Sequence, residues 1–174
     1  MCPERIIILG NAGSGKSTLS RILGEILNYP VSHLDQLFWQ PGWIKPDPLE
    51  FREKVSESVL ASSWISEGNY APRTFDLRLP RADLVVWLNT PRIVCLFRVL
   101  IRSFRNQKRP DLPAGCSEKI NHEFFNFLRY VWRFDTQDRP TIEKLRKEYG
   151  SEIPVVYLRN RKQINDFLAS IHKK

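Results

Sequence analysis

Residues 10–17 read Gly-Asn-Ala-Gly-Ser-Gly-Lys-Ser, and no other stretch constrains the fold as much. The pattern Gly-x-x-x-x-Gly-Lys-Ser is that of a phosphate-binding loop. Its context agrees. The apolar run Ile6, Ile7, Ile8, Leu9 precedes it, as in a strand buried on both faces. Leu19, Ile22, Leu23, Ile26 and Leu27 follow it at helical spacing. In a strand–turn–helix of this kind Gly10, Gly13 and Gly15 bring backbone close to a ligand. The N–H groups of Asn11, Ala12, Ser14 and Thr18 then belong to an anion-binding nest at a helix N-terminus. Lys16 is a point charge for β- and γ-phosphates, and the Ser17 hydroxyl is suited to hold Mg²⁺ beside bound ATP.

A chain of 174 residues suits one domain, residues 1–174, with a sizeable core. No apolar run approaches the roughly 18 residues that a membrane span needs. The chain begins Met-Cys-Pro-Glu-Arg and enters the first strand at once, without a signal-peptide pattern. Cys2, Cys95 and Cys116 are few and widely spaced, which predicts neither a disulfide framework nor a zinc site. A cytoplasmic protein is expected. The net charge of +8 suits anionic ligands, nucleotide or nucleic acid, without choosing between them.

Apolar runs and turn residues predict further strands at 31–35, 63–67, 83–89 and 154–158. Helices are predicted at about 49–61, 74–79, 92–105, 117–132, 141–149 and 164–171, with Arg139-Pro140 dividing the 117–132 helix from the 141–149 helix. Alternating elements with apolar strands make this an α/β chain with a parallel, doubly wound sheet and helices on both faces. Ligands sit at the carboxyl ends of strands in such sheets, so Gly10, Asp35 and Glu67 are expected to converge on one cleft.

Asp35 and Glu67 end predicted strands two and three. Each suits a ligand to magnesium water, a general base or an acceptor for a substrate hydroxyl. A helix N-cap at Asp35 and a surface carboxylate at Glu67 are the plainer alternatives. Residues 92–109 hold Arg92, Arg98, Arg102, Arg105, Lys108 and Arg109 and no acid. Arg98, Arg102, Arg105 and Arg109 share a helix face by spacing, and a triphosphate is the anion that would relieve their repulsion. In the same segment Phe97, Leu100, Ile101 and Phe104 are expected to form the packed stripe. Phe38, Trp39, Trp43 and Tyr70 either line an acceptor pocket or fasten a loop to the core. The stripe from Phe124 to Trp132, Phe125 included, is expected in the core.

In element order nearly the whole chain resembles the nucleoside monophosphate kinase-like group of small P-loop kinases, which includes adenylate and shikimate kinases. Glu67-Gly68-Asn69-Tyr70-Ala71-Pro72-Arg73-Thr74 looks like the Asp-Gly-Phe-Pro-Arg-Thr stretch of adenylate kinases, with two extra residues and Glu for Asp. That likeness implies that Arg73 grips an acceptor phosphate. Arg109-Pro110-Asp111-Leu112 resembles the lid of shikimate kinases. It implies a lid at about 106–116 whose arginine covers the ATP phosphates. More closely, Leu34-Asp35-Gln36-Leu37-Phe38-Trp39-Gln40-Pro41-Gly42-Trp43 with Glu67-Gly68-Asn69-Tyr70 is similar to bacterial proteins labelled DNA topology modulation proteins. These are described as adenylate kinase-like ATP-binding proteins.

The resemblance implies a sheet order of 2-3-1-4-5 and Mg²⁺-ATP-dependent phosphoryl transfer to a small acceptor, a nucleotide or nucleoside. Lys16, Asp35, Glu67, Arg102 and Arg109 are then the catalytic candidates. Residues 10–18 with Arg98 and Arg102 are those for ATP, and Ser17 and Asp35 those for metal. Asp35, Trp39, Trp43, Tyr70 and Arg73 are those for the acceptor. Two rivals remain, a DNA-interacting ATPase and a nucleotide-binding protein without an efficient acceptor. No nucleic-acid-binding motif is present.

Overall fold

In a computed structural model the described residues are 3–104, 111–113, 115, 116 and 122–172. Five parallel strands, β1 (Arg5–Gly10), β2 (Val31–His33), β3 (Trp64–Glu67), β4 (Leu84–Leu88) and β5 (Val155–Leu158), form one sheet in the order 2-3-1-4-5, as expected. β1 lies at the centre, with Ile8 in register with Glu67 on one side and Val86 on the other. The strand carrying the glycine loop is thereby flanked by the strand ending in Glu67.

Side chains alternate across a strand, and here the alternation builds two cores. Ile7, Leu9, Val85 and Trp87 pack with Phe75 and Leu79 of the 71–81 segment and with Phe134 and Ile142 of a long helix. Ile6, Ile8, Val86 and Leu88 pack with Leu19 and Leu23 of α1 (Lys16–Leu27) and with Ile171 of α7 (Arg161–His172). Both faces are covered, which is why β1 and β4 are uninterrupted apolar runs.

The remaining helices are α2 (Leu34–Phe38), α3 (Pro48–Ser58), α4 (Ala71–Arg78), α5 (Arg92–Phe104) and α6 (His122–Gly150), with a 3-10 turn over Leu79–Arg81. Asp47 caps α3, its carboxylate accepting from the N–H groups of Leu49 and Glu50.

Four expectations are corrected. β2 stops at His33, and Asp35 lies in the first turn of α2 rather than on a strand end. Arg139-Pro140 divides nothing, because α6 runs unbroken through Pro140. Proline forfeits one backbone bond. Thr136, whose carbonyl loses it, is exposed, so water can serve that oxygen. Arg139 meanwhile anchors the helix, donating to Asn89 Oδ1 at 2.8 Å and lying 5.5 Å from the Trp87 ring centre. On α5 the buried residues are Cys95 and Val99, while Phe97 and Phe104 are exposed. On α6 Phe124 and Val131 are buried, but Phe125 and Trp132 are exposed. Arg105, Arg109 and most of the 106–116 segment lie outside the described residues.

Candidate active site

The glycine loop joins β1 to α1 and packs directly on α5. Gly13 has φ +78°, and a Cβ there would sit 2.5 Å from the Cys95 carbonyl oxygen, so no larger residue fits. A Cβ on Gly15, φ +103°, would make only an ordinary 3.7 Å contact with Arg98 Nη1, so it is glycine for its left-handed backbone. The Cys95 thiol is pushed up to about 11 by burial, which marks it as packing rather than a nucleophile.

Other contacts set the loop in place. The Asn11 amide donates to the Val131 carbonyl at 2.8 Å, tying the loop to α6. Arg98 Nη1 donates to the carbonyls of Ser14 at 3.0 Å and Gly13 at 3.4 Å. The side-chain amide of Asn69, just past β3, makes a reciprocal pair with Gly10. It accepts from the Gly10 N–H at 3.1 Å and donates to the Gly10 carbonyl at 2.9 Å. The 66–70 turn is itself held from beneath. Arg78, fully buried, donates to the Gly68 carbonyl at 3.0 Å, the Asn69 carbonyl at 2.6 Å and the hydroxyls of Ser66 and Thr74. Burial pulls its pKa down to about 9, partly offset by Glu67. It therefore stays charged at neutral pH.

Lys16 Nζ donates to the Asn11 carbonyl at 3.0 Å and lies 3.9 Å from Glu67 Oε1. Ser17 Oγ is 3.3 Å from Glu67 Oε2 and 2.9 Å from Asp111 Oδ2, and both acids are almost wholly buried. His33 Nδ1 meets Glu67 Oε2 at 2.9 Å. A hydroxyl has one proton, so it can donate to only one of these two carboxylates at a time. Hard oxygen donors around an excess of negative charge are what Mg²⁺ requires, so the residues present fit that ion. No group of three or more His, Cys, Asp or Glu suited to a metal occurs among the described residues, so any such ion leans on water or phosphate for its remaining ligands.

Asp35 stands apart from this cluster. Its Oδ1 accepts from the Tyr70 hydroxyl at 2.7 Å. Burial first, and then the charge and bond of Asp35, push the Tyr70 phenol above its ordinary value. Tyr70 is thus the donor at neutral pH and Asp35 Oδ1 the acceptor. Phe38, Trp39 and Trp43 continue the wall edge to face, with ring centres 4.9 and 5.2 Å apart along the series. Tyr70 (φ 38°) and Trp43 (φ 63°) are two of the three non-glycine residues with positive φ among the described residues. Such strain collects at working sites.

Lys16, Ser17, Thr18, Asp35, Glu67, Trp39, Trp43, Tyr70, Arg98 and Arg102 all line one cleft of about 1630 Å³. A single-ligand pocket holds about 300–1,000 Å³, so this one has room for two reactants. Of the acceptor candidates Arg73 is absent from the lining. It is exposed, with its guanidinium 5.5 Å from the Phe38 ring centre. Several lining or supporting residues escaped the sequence reading: His33, Asp111, Arg78, and Phe127, Tyr130 and Asp138 of α6. Asn69 was visible in principle, since it follows a strand end beside Glu67. Arg78 carries no local mark of burial.

The parallel sheet in the order 2-3-1-4-5, with a glycine loop after its central strand, is a P-loop fold. Solved structures that share it over nearly the whole chain include shikimate kinase from Bacteroides thetaiotaomicron, at 20% identity and TM-score 0.60, covering 98% of this chain and 97% of that one. Shikimate kinase from Acinetobacter baumannii in complex with shikimate matches at 18% identity and TM-score 0.55, with 98% and 91% covered. Deoxyadenosine kinase from M. mycoides with bound dATP matches at 13% identity and TM-score 0.55, with 96% and 98% covered. No protein-family model matches the sequence, and no curated protein does. No helix among the described residues is long and apolar enough to cross a membrane.

Proposed function

We propose that the protein is a phosphotransferase of one structural unit that moves the γ-phosphoryl group of Mg²⁺-ATP to a hydroxyl of a small acceptor. The observation that carries this reading is one cleft lined both by the glycine loop and by the Tyr70–Asp35 pair with its aromatic rings. The structural neighbours, kinases of small molecules, support it.

In this reading the loop N–H groups, Lys16, Arg98 and Arg102 bind the triphosphate. Ser17, with Glu67 and Asp111 through water, would hold Mg²⁺, which when bound neutralises charge on the β- and γ-phosphates. Asp35, oriented by the Tyr70 donor, accepts the proton of the attacking hydroxyl. The acceptor oxygen bonds to the γ-phosphorus, the bond to the β–γ bridging oxygen breaks, and ADP leaves. His33, bonded to Glu67, orients that carboxylate.

Lys16→Ala tests the assignment. Among the described residues the Lys16 ammonium reaches Asn11 and Glu67 at the cleft, so the variant is expected to fold and to lose phosphoryl transfer. Wild-type turnover in folded variant at saturating ATP would refute it.

A further inference from the structure

Lys16 and Arg98 stand at the glycine loop together with the buried carboxylates of Glu67 and Asp111. The other charged residues that line the cleft among those described are Arg102, Asp35, Asp138, Glu123 and Lys45. Asp35 bonds Tyr70 and, with Asp138, acts on the Tyr130 phenol, and Lys45 is exposed. Burial raises the Asp138 carboxyl above its ordinary range. Neither of the nearby guanidiniums of Arg73 and Arg78 is in the cleft lining. Arg73 lies out over Phe38. Arg78 is fully buried and bonded to the carbonyls of Gly68 and Asn69.

The cleft wall beside Tyr70 is aromatic. Trp39, Trp43, Tyr70, Phe127 and Tyr130 all line the cleft, and such faces accept a planar ring by stacking. The polar groups near them are the phenols of Tyr70 and Tyr130, the side-chain amides of Asn69 and Asn126, and carboxylates. Tyr130 is held protonated by burial and by the charge of Asp138. Phenols and carboxylates bind hydroxyls, donating and accepting in turn. An acceptor carrying phosphate or carboxylate would instead meet like charge in a partly dry site, which is how a pocket rejects a ligand.

We propose, resting on the phosphotransferase reading above, that the acceptor is an uncharged, ring-bearing alcohol of the nucleoside class, and not a nucleoside monophosphate or a hydroxycarboxylate. The chain reacts with it as ATP plus alcohol giving ADP, phosphomonoester and the proton taken by Asp35.

The test compares matched acceptors with labelled Mg²⁺-ATP: adenosine against AMP, thymidine against TMP, and shikimate as the carboxylate. We expect kcat/KM for the better nucleoside to exceed that of its monophosphate and of shikimate by at least about 100-fold, the scale on which mispaired buried polar groups discriminate. A monophosphate or shikimate used equally well or better overturns the inference and leaves the phosphotransferase reading standing. Asp138→Lys reverses one charge on this wall. It is expected to narrow the nucleoside preference by about tenfold, and an unchanged ratio counts against the inference. If that variant does not fold, Glu123→Lys makes the same reversal at an exposed position. Tryptophan fluorescence from Trp39 and Trp43 gives a readout independent of turnover, with protein loaded with a non-hydrolysable ATP analogue. Binding of adenosine without AMP, and no transfer, would support the inference while refuting the phosphotransferase reading. No response to either compound would overturn the inference.

Discussion

Replacing Arg78 by methionine keeps most of the buried apolar volume but removes the guanidinium beneath the 66–70 turn. The structure sets the magnitude. The buried carbonyl oxygen of Gly68 and the part-buried one of Asn69 lose their side-chain donor, so the full buried-group cost for both is a ceiling. The hydroxyls of Ser66 and Thr74 can rotate to other acceptors, and Thr74 already donates to the Tyr70 carbonyl. At about 1–3 kcal/mol for each orphaned buried acceptor, the loss is about 2–6 kcal/mol. Relief of the buried charge returns part of that, because a hydrophobic replacement of a buried ion is sometimes neutral. A net destabilisation of about 2–4 kcal/mol is expected, a large share of the roughly 5–15 kcal/mol typical of a domain. Urea unfolding of both proteins by linear extrapolation, at equal slope, measures it. Turnover should fall as well, since the turn carries Glu67, Asn69 and Tyr70, and Asn69 clasps Gly10. Arg78→Lys should recover only part of the stability, because an ammonium cannot serve four acceptors in a plane. A loss under about 1 kcal/mol for Arg78→Met would refute the reasoning, showing that desolvation of the guanidinium cancels its bonds.

Asp35→Asn should lower turnover by about 10²–10⁴ with ATP affinity nearly unchanged, and weakened ATP binding at unaltered turnover would move Asp35 to the nucleotide side. Asp111→Asn should raise the Mg²⁺ concentration needed for half-maximal binding of an ATP analogue, since it removes charge 2.9 Å from Ser17 Oγ; an unaltered Mg²⁺ titration by calorimetry counts against a role there. The Arg5 guanidinium, bonded to Asp83 at 2.6 Å, holds that carboxyl below its ordinary value. Its contribution is therefore complete above the ordinary aspartate range and is lost as pH falls through the lower folded-state value. Asp83→Asn should flatten this part of the acid loss of stability, and identical acid-unfolding curves for the two proteins would contradict it.

The glycine loop between β1 and α1 was legible because consecutive residues make it: its glycines, its lysine and the strand and helix on either side are read within about twenty positions. The sheet was legible for a similar reason, since burial on both faces leaves unbroken apolar runs such as residues 6–9. Stripes on helices were harder. Nearly every residue of 93–101 is apolar, so periodicity did not single out Cys95 and Val99. The close approach of α5 to Gly13 decides that face, and it is a tertiary fact. Pro140 reads locally as a break. Its neighbours on the helix surface are solvated and Arg139 is anchored to Asn89, so one missing backbone bond is outweighed by packing along α6. The site divides in the same way. Lys16 and Ser17 are encoded by local pattern, whereas Asp111 reaches Ser17 across 94 positions and Arg78 takes its role from the turn folded above it. Local backbone geometry is written in adjacent residues. Which distant carboxylate or guanidinium fills a given gap depends on how the helices pack, and only the tertiary structure decides that.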